Sequence, residues 1–256
     1  MRLALYQANS PAGDISAGLK VVEQALADAE QVHADMLTMP EIFLPGYAST
    51  TATKPEGWDE VHSRLSEMCA KHKVALTIGL AEYETDAVYN SAYTFDADGE
   101  VICKYRKIQL FGEDEKALYK PGNRYETFEY KGVKFGVLIC YDVEFPEHVR
   151  ALANRGVEVI LGPTANMMPY VNSNLIMIPS RALENGLTIV YANYCGSEAH
   201  LDYVGLSTIC GPDGYSIASK GQSPGLIVAE LPNGWSERDI QLYSQREDLV
   251  PLETIQ

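Results

Sequence analysis

Residues 136–145 read GVLICYDVEF, and Pro146 and Glu147 follow. Gly-Val-Leu-Ile is the apolar run expected of a strand buried on both faces. A cysteine, Cys140, ends it, and the acids Asp142, Glu144 and Glu147 follow within seven residues. Proline is tolerated in the first turn of a helix, so the stretch reads as a central strand, a turn, and a helix from Pro146 to Asn154, stopped by Gly156. Ligands in α/β folds gather at the carboxyl ends of strands, which puts Cys140 where chemistry is usually found. The acids raise a question, because nearby carboxylates push a thiol's pKa up and oppose thiolate formation.

Outward from this stretch, strands and helices alternate. Arg2–Ala8 reads as a first strand. Asp14 to His33 reads as a helix with Leu19, Val22, Leu26 and Ala29 on one face. Met36–Met39 is a short apolar run. A second helical face carries Val61, Leu65, Met68 and Cys69, and Val74–Ala81 is a buried strand. Ser91–Phe95 and Glu100–Tyr105 flank Asp98-Gly99, and Leu206–Cys210 and Tyr215–Ser219 flank Asp213-Gly214, so each pair is expected to form a hairpin. Val133–Cys140, Val157–Leu161, Leu187–Asn193 and Leu226–Leu231 are further strands, and a helix spans about Asn174–Asn185. The two halves repeat the order strand, helix, strand, helix, strand, hairpin. That order predicts an α/β protein with mixed sheets, two of them packed face to face with helices outside in a four-layer α-β-β-α sandwich. A single doubly wound sheet is the alternative. Residues 1–235 are expected to form one domain, and 236–256 a tail without clear periodicity, assigned to packing at a dimer interface.

Composition narrows the function. The chain has 256 residues, 46% of them hydrophobic, enough to bury a large core. A net charge of -15 argues against binding a phosphate backbone or an anionic membrane, both of which call for lysine and arginine stripes. No apolar run approaches membrane-spanning length. Five widely spaced cysteines without a CxxC pattern fit reduced thiols in a cytoplasmic protein. P-loop, dinucleotide-binding and GxSxG patterns are absent, and the five histidines show no metal-ligand spacing, so metal, nucleotide and serine-hydrolase readings start low.

What remains is a set of polar residues just after apolar strands. Glu41 follows LTMP, Lys107 follows VICKYR, Cys140 ends GVLI, Thr164 and Asn166 follow VEVILGP, and Asn193 follows LTIVYA. A thiol, a carboxylate and an ammonium form a coherent set. Sulfur attacks an electrophilic carbon, the carboxylate moves the proton, and the ammonium stabilises the oxyanion. Each residue alone has a plainer reading: a small core cysteine, a solvated loop acid, a charged hairpin edge in KYRK. Among the other cysteines only Cys195, at the strand end YANYC, rivals Cys140.

The combination PEIFLPGY, KYRKIQLFGEDEKALYKPG and GVLICYDVEFPE, in that order, resembles the carbon–nitrogen hydrolase (nitrilase) superfamily, over nearly the whole chain. The resemblance implies the α-β-β-α fold, assembly as a homodimer or higher homo-oligomer, and amide hydrolysis through a cysteine thioester without a metal or organic cofactor. It implies Glu41 as general base and acid, Lys107 and the backbone N–H of Tyr141 as oxyanion donors, and Cys140 as nucleophile. A second glutamate that orients the lysine falls on Glu113 or Glu115, and spacing to Pro121-Gly122 favours Glu115. With Glu41 taking the proton during attack, an acidic neighbourhood need not silence the sulfur.

The CYD following the strand resembles the amidase-type branches, whereas nitrilases usually carry Trp-Glu there. The dicarboxylic monoamide (ω-amidase) branch commonly has arginine where this chain has Glu144. A small neutral or cationic linear carboxamide is therefore the expected substrate, with N-carbamoyl hydrolysis, ω-amidase or nitrilase activity as alternatives. Tyr47, Phe111, Tyr141, Asn166 and Met167 are candidate pocket residues. Arg181 and Glu184 are assigned to a structural ion pair or dimer contact, and Asn193 is left open.

Overall fold

The computed structural model describes residues 1–231 together with Gln245, Asp248, Leu249 and Val250. The tail expected over 236–256 thus lies largely outside the described residues.

The first half builds one sheet. Strand β1 (Arg2–Asn9) leads into helix α1 (Ile15–Gln31), which Asp14 caps by accepting the Ala17 N–H at 2.9 Å. Strand β2 (Met36–Thr38), helix α2 (Val61–His72), β3 (Ala75–Glu84), β4 (Ala87–Phe95) and β5 (Val101–Arg106) follow. β1, β2 and β3 run parallel, with Leu3 beside Met36 and Met36 beside Ala75, and β3–β4–β5 form an antiparallel meander. Asp98-Gly99 makes the turn between β4 and β5. β4 starts four residues before the expected Ser91, because β3 also runs on past Ala81 and pairs with it.

Helix α3 (Gly112–Leu118) and strand β6 (Thr127–Tyr130) lead into the second half. Neither stands out in the sequence: α3 spans seven residues with no repeated apolar face, and β6 only four. The second sheet comprises β6, β7 (Val133–Val137), β8 (Val159–Pro163), β9 (Thr188–Ala192), β13 (Thr208–Cys210) and β14 (Ser216–Ser219). Between β7 and β9 lie the short helix α4 (Tyr141–Glu144), α5 (Pro146–Ala153) and α6 (Ile178–Asn185), the last preceded by a wide π turn over Ser173–Met177. β7, β8 and β9 are parallel.

Asn193 marks the crossing between the sheets. β9 belongs to the second sheet, yet β10 (Tyr194–Cys195) pairs with Ala8 and Asn9 of β1 in the first. A small hairpin of β11 (Ser197–Glu198) and β12 (Leu201–Asp202) follows, and β15 (Gly225–Glu230) returns antiparallel to β1.

Alternation along the strands sets the layers, since successive side chains point to opposite faces. Leu3, Leu5 and Met36 join one core with Phe135, Val159 and Ile189 of the second sheet and Val149, Leu152 and Ala182 of α5 and α6. Ala4, Leu37 and Leu76 pack instead with Leu19, Val22 and Leu26 of α1 and Val61, Leu65 and Cys69 of α2. Helices therefore cover both outer faces and the sheets pack on each other, the four-layer sandwich that the strand order predicts. No helix among the described residues is long and apolar enough to cross a membrane.

Candidate active site

The C-terminal ends of β2, β5, β7 and β8 converge. After β2 the chain crosses the face of β3 as a loop held by backbone bonds: Met39 N–H to Thr77 O at 2.8 Å, Gly79 N–H to Pro40 O at 3.1 Å and Phe43 N–H to Gly79 O at 2.7 Å. Gly79 permits this. A Cβ there would lie 2.5 Å from Glu41 Cα and 2.3 Å from Ile42 N, so only glycine lets the loop lie against the strand. Glu41 N–H also reaches Thr164 O at 3.3 Å, bridging the two sheets at the site itself. Ile42 is held at φ +43, a costly conformation for a β-branched residue.

Lys107 follows β5, its backbone N–H bonded to Asn90 O and its carbonyl to Gly122 N–H. Its ammonium donates to Glu41 Oε1 at 2.6 Å and to Glu115 Oε1 at 2.7 Å. The Lys107 and Glu41 side chains have 0% exposure and Glu115 4%, so three charges share one buried site. Glu115 is fixed further by the Tyr47 hydroxyl at 2.7 Å and the Phe111 N–H at 2.8 Å, whereas Glu113 is exposed and bonds Lys116. Asn90 Nδ2 donates to Glu41 Oε1 at 2.7 Å, and Glu41 Oε2, though buried, has no hydrogen-bond partner. An ammonium has three donors and Lys107 spends two on carboxylates, which leaves one.

Cys140 sits at φ +47, ψ -106, a sharp turn between β7 and α4. Beyond Val137 the ladder with β8 gives way to single bonds, Leu138 N–H to Leu161 O and Cys140 N–H to Pro163 O, so the strand ends three residues earlier than expected. The turn is tied by Asp142, which is fully buried. It accepts N–H bonds from Ile139 at 3.0 Å and Gln109 at 2.7 Å, and the Tyr105 hydroxyl at 2.8 Å. One carboxylate thus anchors both the cysteine turn and the chain after Lys107. Tyr141 is the first residue of α4, so its backbone N–H has no intrahelical acceptor.

The charges act on one another. Burial pushes the Glu41 carboxyl above the ordinary carboxylate range, aided by Glu115 and opposed by Lys107. Burial alone would lower the Lys107 pKa, but Glu115 and Glu41 outweigh it and hold the ammonium well above its usual range. Burial raises the Cys140 thiol strongly and the Glu41 charge raises it further, while Lys107, the Thr164 hydroxyl and the Ala165 N–H favour the thiolate. At rest burial and Glu41 hold the sulfur as a thiol.

Cys140 lines a cavity of about 210 Å³ shared with Tyr47, Phe111, Tyr141, Asn166 and Met167, the five pocket residues expected from the sequence, and with Glu144, Ala165 and Tyr170. A larger cavity of about 410 Å³ shares Tyr47, Phe111, Met167 and Tyr170 with it and reaches Glu115, His200 and Leu201. Of the two, Cys140 lines only the smaller one.

Other candidates stand apart from the sulfur. Asn193, buried at the sheet crossing, accepts the Asn166 N–H at 2.8 Å and donates to Asn166 O and Gly205 O, a structural tie. Arg181 pairs with Glu184 at 3.2 Å and donates to Glu144 O at 2.7 Å. Cys195 is buried against Asn9 and lines neither cavity. Nothing in the sequence marks Tyr170 or Asn90 as site residues: Asn90 lies within a strand of the hairpin sheet, and Tyr170 follows no strand end.

Comparison with known proteins agrees with this architecture. The family model for carbon-nitrogen hydrolase matches residues 2–238. A hydrolase from the pqqF 5′ region of Pseudomonas protegens is 38% identical over 237 residues, 90% of this chain and 82% of that protein. A 2-oxoglutaramate amidase from Bacillus subtilis is 31% identical, over 88% of this chain and 86% of its own. Among solved structures, a Glu-to-Gln variant of the amidase from Nesterenkonia sp. AN1, with acrylamide added to its active-site cysteine, superposes with a TM-score of 0.86. It is 36% identical and covers 93% of this chain and 96% of its own. The chain belongs to the carbon–nitrogen hydrolase family and is a cysteine-dependent enzyme of its amidase-type branch.

Proposed function

We propose that the enzyme hydrolyses a small linear carboxamide to the carboxylic acid and ammonia through a thioester on Cys140. The observation that carries this reading is the state of Glu41. One oxygen is locked by Lys107 and Asn90, and the other is buried without a partner in a carboxyl whose pKa is raised. Such a group has a free oxygen on which to take a proton and from which to return it.

The geometry supports the following steps. Cys140 Sγ attacks the amide carbon while its proton passes to Glu41 Oε2, so no resting thiolate is needed. The oxygen, now anionic, takes the third Lys107 N–H and the Tyr141 N–H. Glu41 returns the proton to nitrogen, the C–N bond breaks and ammonia leaves. Water then gives a proton to Glu41 as its oxygen adds to the thioester carbon. Collapse releases the acid, and Glu41 reprotonates the sulfur. Glu115, held by Tyr47 and Phe111, keeps Lys107 in place throughout.

The test is intact-mass detection of an acyl adduct on Cys140 during turnover, together with ammonia release. Cys140→Ala is expected to fold and to release none. Appreciable ammonia from amides by that variant would overturn the reading.

A further inference from the structure

We infer that the cavity beside Cys140 is a cation site, selecting amides whose acyl chain ends in a primary ammonium group held by Glu144 and an aromatic corner. The inference rests on the proposed role of Cys140 as nucleophile.

Three rings form the corner. Phe111 is met edge-on by Tyr141 at 5.3 Å and 75° and by Tyr170 at 5.5 Å and 82°. The tyrosine rings therefore stand nearly perpendicular to Phe111 and make walls rather than a flat stack. All three line the cavity, with Tyr47 a fourth aromatic. Aromatic faces attract ammonium ions, and more strongly once water is excluded.

The polar groups of the cavity point the same way. Asn166 spends both amide hydrogens, on Tyr170 O at 2.9 Å and Asn174 Oδ1 at 2.5 Å, so its side chain offers a ligand only an acceptor. The Tyr47 hydroxyl hydrogen is spent on Glu115. Glu144 lines the cavity half-buried, with Oε1 accepting the Ser173 hydroxyl at 2.8 Å, and no ion pair holds its carboxylate among the described residues. The neighbouring cations are engaged elsewhere, Arg181 on Glu184 and the Glu144 carbonyl, Lys107 on Glu41 and Glu115. Away from the sulfur the cavity thus offers a carboxylate, an amide oxygen and aromatic rings, and among the described side chains that line it only the Tyr141 and Tyr170 hydroxyls are free to donate. An ammonium satisfies this set, whereas a carboxylate meets the Glu144 charge, and the cations near enough to act on Glu144, Lys107 and Arg181, are already paired with carboxylates.

The experiment compares 4-aminobutanamide with pentanamide, which have equal numbers of heavy atoms and differ by an ammonium against a methyl. Calorimetry on Cys140→Ala reads binding without turnover. The cationic amide is expected to bind about tenfold tighter or better, and Glu144→Gln in the same background should cut that preference to about twofold, left by the rings. In the wild-type enzyme kcat/KM should show the same preference, and the monoamide of glutaric acid should bind more weakly than pentanamide. Equal affinity for the first pair, tighter binding of the acid, or a preference unmoved by Glu144→Gln would overturn the inference. Because the wild-type comparison with the acid needs no Glu144 variant, a misfolded variant leaves the test standing. Failure of the wild-type enzyme to turn over any amide or form an adduct would instead sink the proposed reaction, with the binding ratio still judging the cation site.

Discussion

The Glu41 carboxylate and the Lys107 ammonium, 66 positions apart in the chain, meet at 2.6 Å with both side chains fully buried. Glu115 joins them at 2.7 Å from the same nitrogen, so two carboxylates depend on one cation. Removing one member of a buried charge set leaves the others unpaired, at a cost of about 3–5 kcal/mol.

Lys107→Ala is therefore expected to lose activity and to lower the melting temperature by on the order of 10 °C, as 1 kcal/mol moves a chain of this size by about 2–4 °C. Glu41→Gln keeps the shape and the Lys107 bond and should melt close to wild type while losing about 10²–10⁴ in rate. Thermal melts and steady-state kinetics separate the two, and a Lys107→Ala protein as stable as wild type would contradict the charge balance.

Gly79→Ala should displace the Glu41 loop. The added Cβ meets backbone atoms at 2.3 and 2.5 Å, which cannot rotate away as a side chain could. Overpacking of this kind costs about 1–3 kcal/mol, and a shift of about 1 Å at a reacting group costs up to about 10²-fold in rate. Gly221→Ala, where a Cβ meets nothing within 4 Å, serves as the control and should change neither stability nor kcat/KM.

Asp142→Asn turns one acceptor oxygen into a donor facing N–H and O–H groups that already donate. A loss of about 1–3 kcal/mol is expected from the groups left unsatisfied. The rate should fall as well, because the Cys140 turn and the chain after Lys107 lose their shared anchor. Tyr105→Phe removes one bond only and should be milder on both counts, so equal effects from the two variants would argue against the anchor.

Acid stability has a specific source in Glu82, whose side chain is 7% exposed. Burial raises its pKa, but Arg106, Lys104 and Ser91 outweigh that and bring it to about 2, below the ordinary 4.5. A carboxyl with a depressed folded-state pKa stabilises fully above its unfolded pKa and loses that contribution as pH falls through the folded one. The melting-temperature gap between wild type and Glu82→Gln should therefore be constant above about pH 5 and close as pH falls from 4.5 toward 2. A gap that persists unchanged at pH 2 would refute the assignment.

Much of the molecule is legible in its residues for local reasons. GVLIC announces a buried strand ending in a thiol, because a two-sided apolar run has few other uses. Asp14 and Pro146 mark helix starts through capping chemistry and a fixed φ, and the two Asp-Gly pairs mark hairpins. Helix α3 is not legible: its GEDEKAL stretch presents three acids in the first turn, and its buried member, Glu115, is polar. The burial of Glu115 follows from Lys107 and Tyr47, which lie outside α3, and from the N–H of Phe111 at the helix cap.

By itself the sequence determined which elements form and which residues carry acid, amine and thiol, since periodicity, capping and side-chain chemistry are local properties. Only the tertiary structure decided how they meet. The Glu41 N–H reaches Thr164 O across two sheets, Asn193 carries the chain from one sheet to the other, and Gly79 lets the loop lie flat. Glu144 shows the division most plainly. In the sequence it is one of three acids after a cysteine. Packed beside Phe111, Tyr141 and Tyr170 it becomes a carboxylate in an aromatic corner, because long-range contacts, and not neighbours in the chain, set its solvation and its partners.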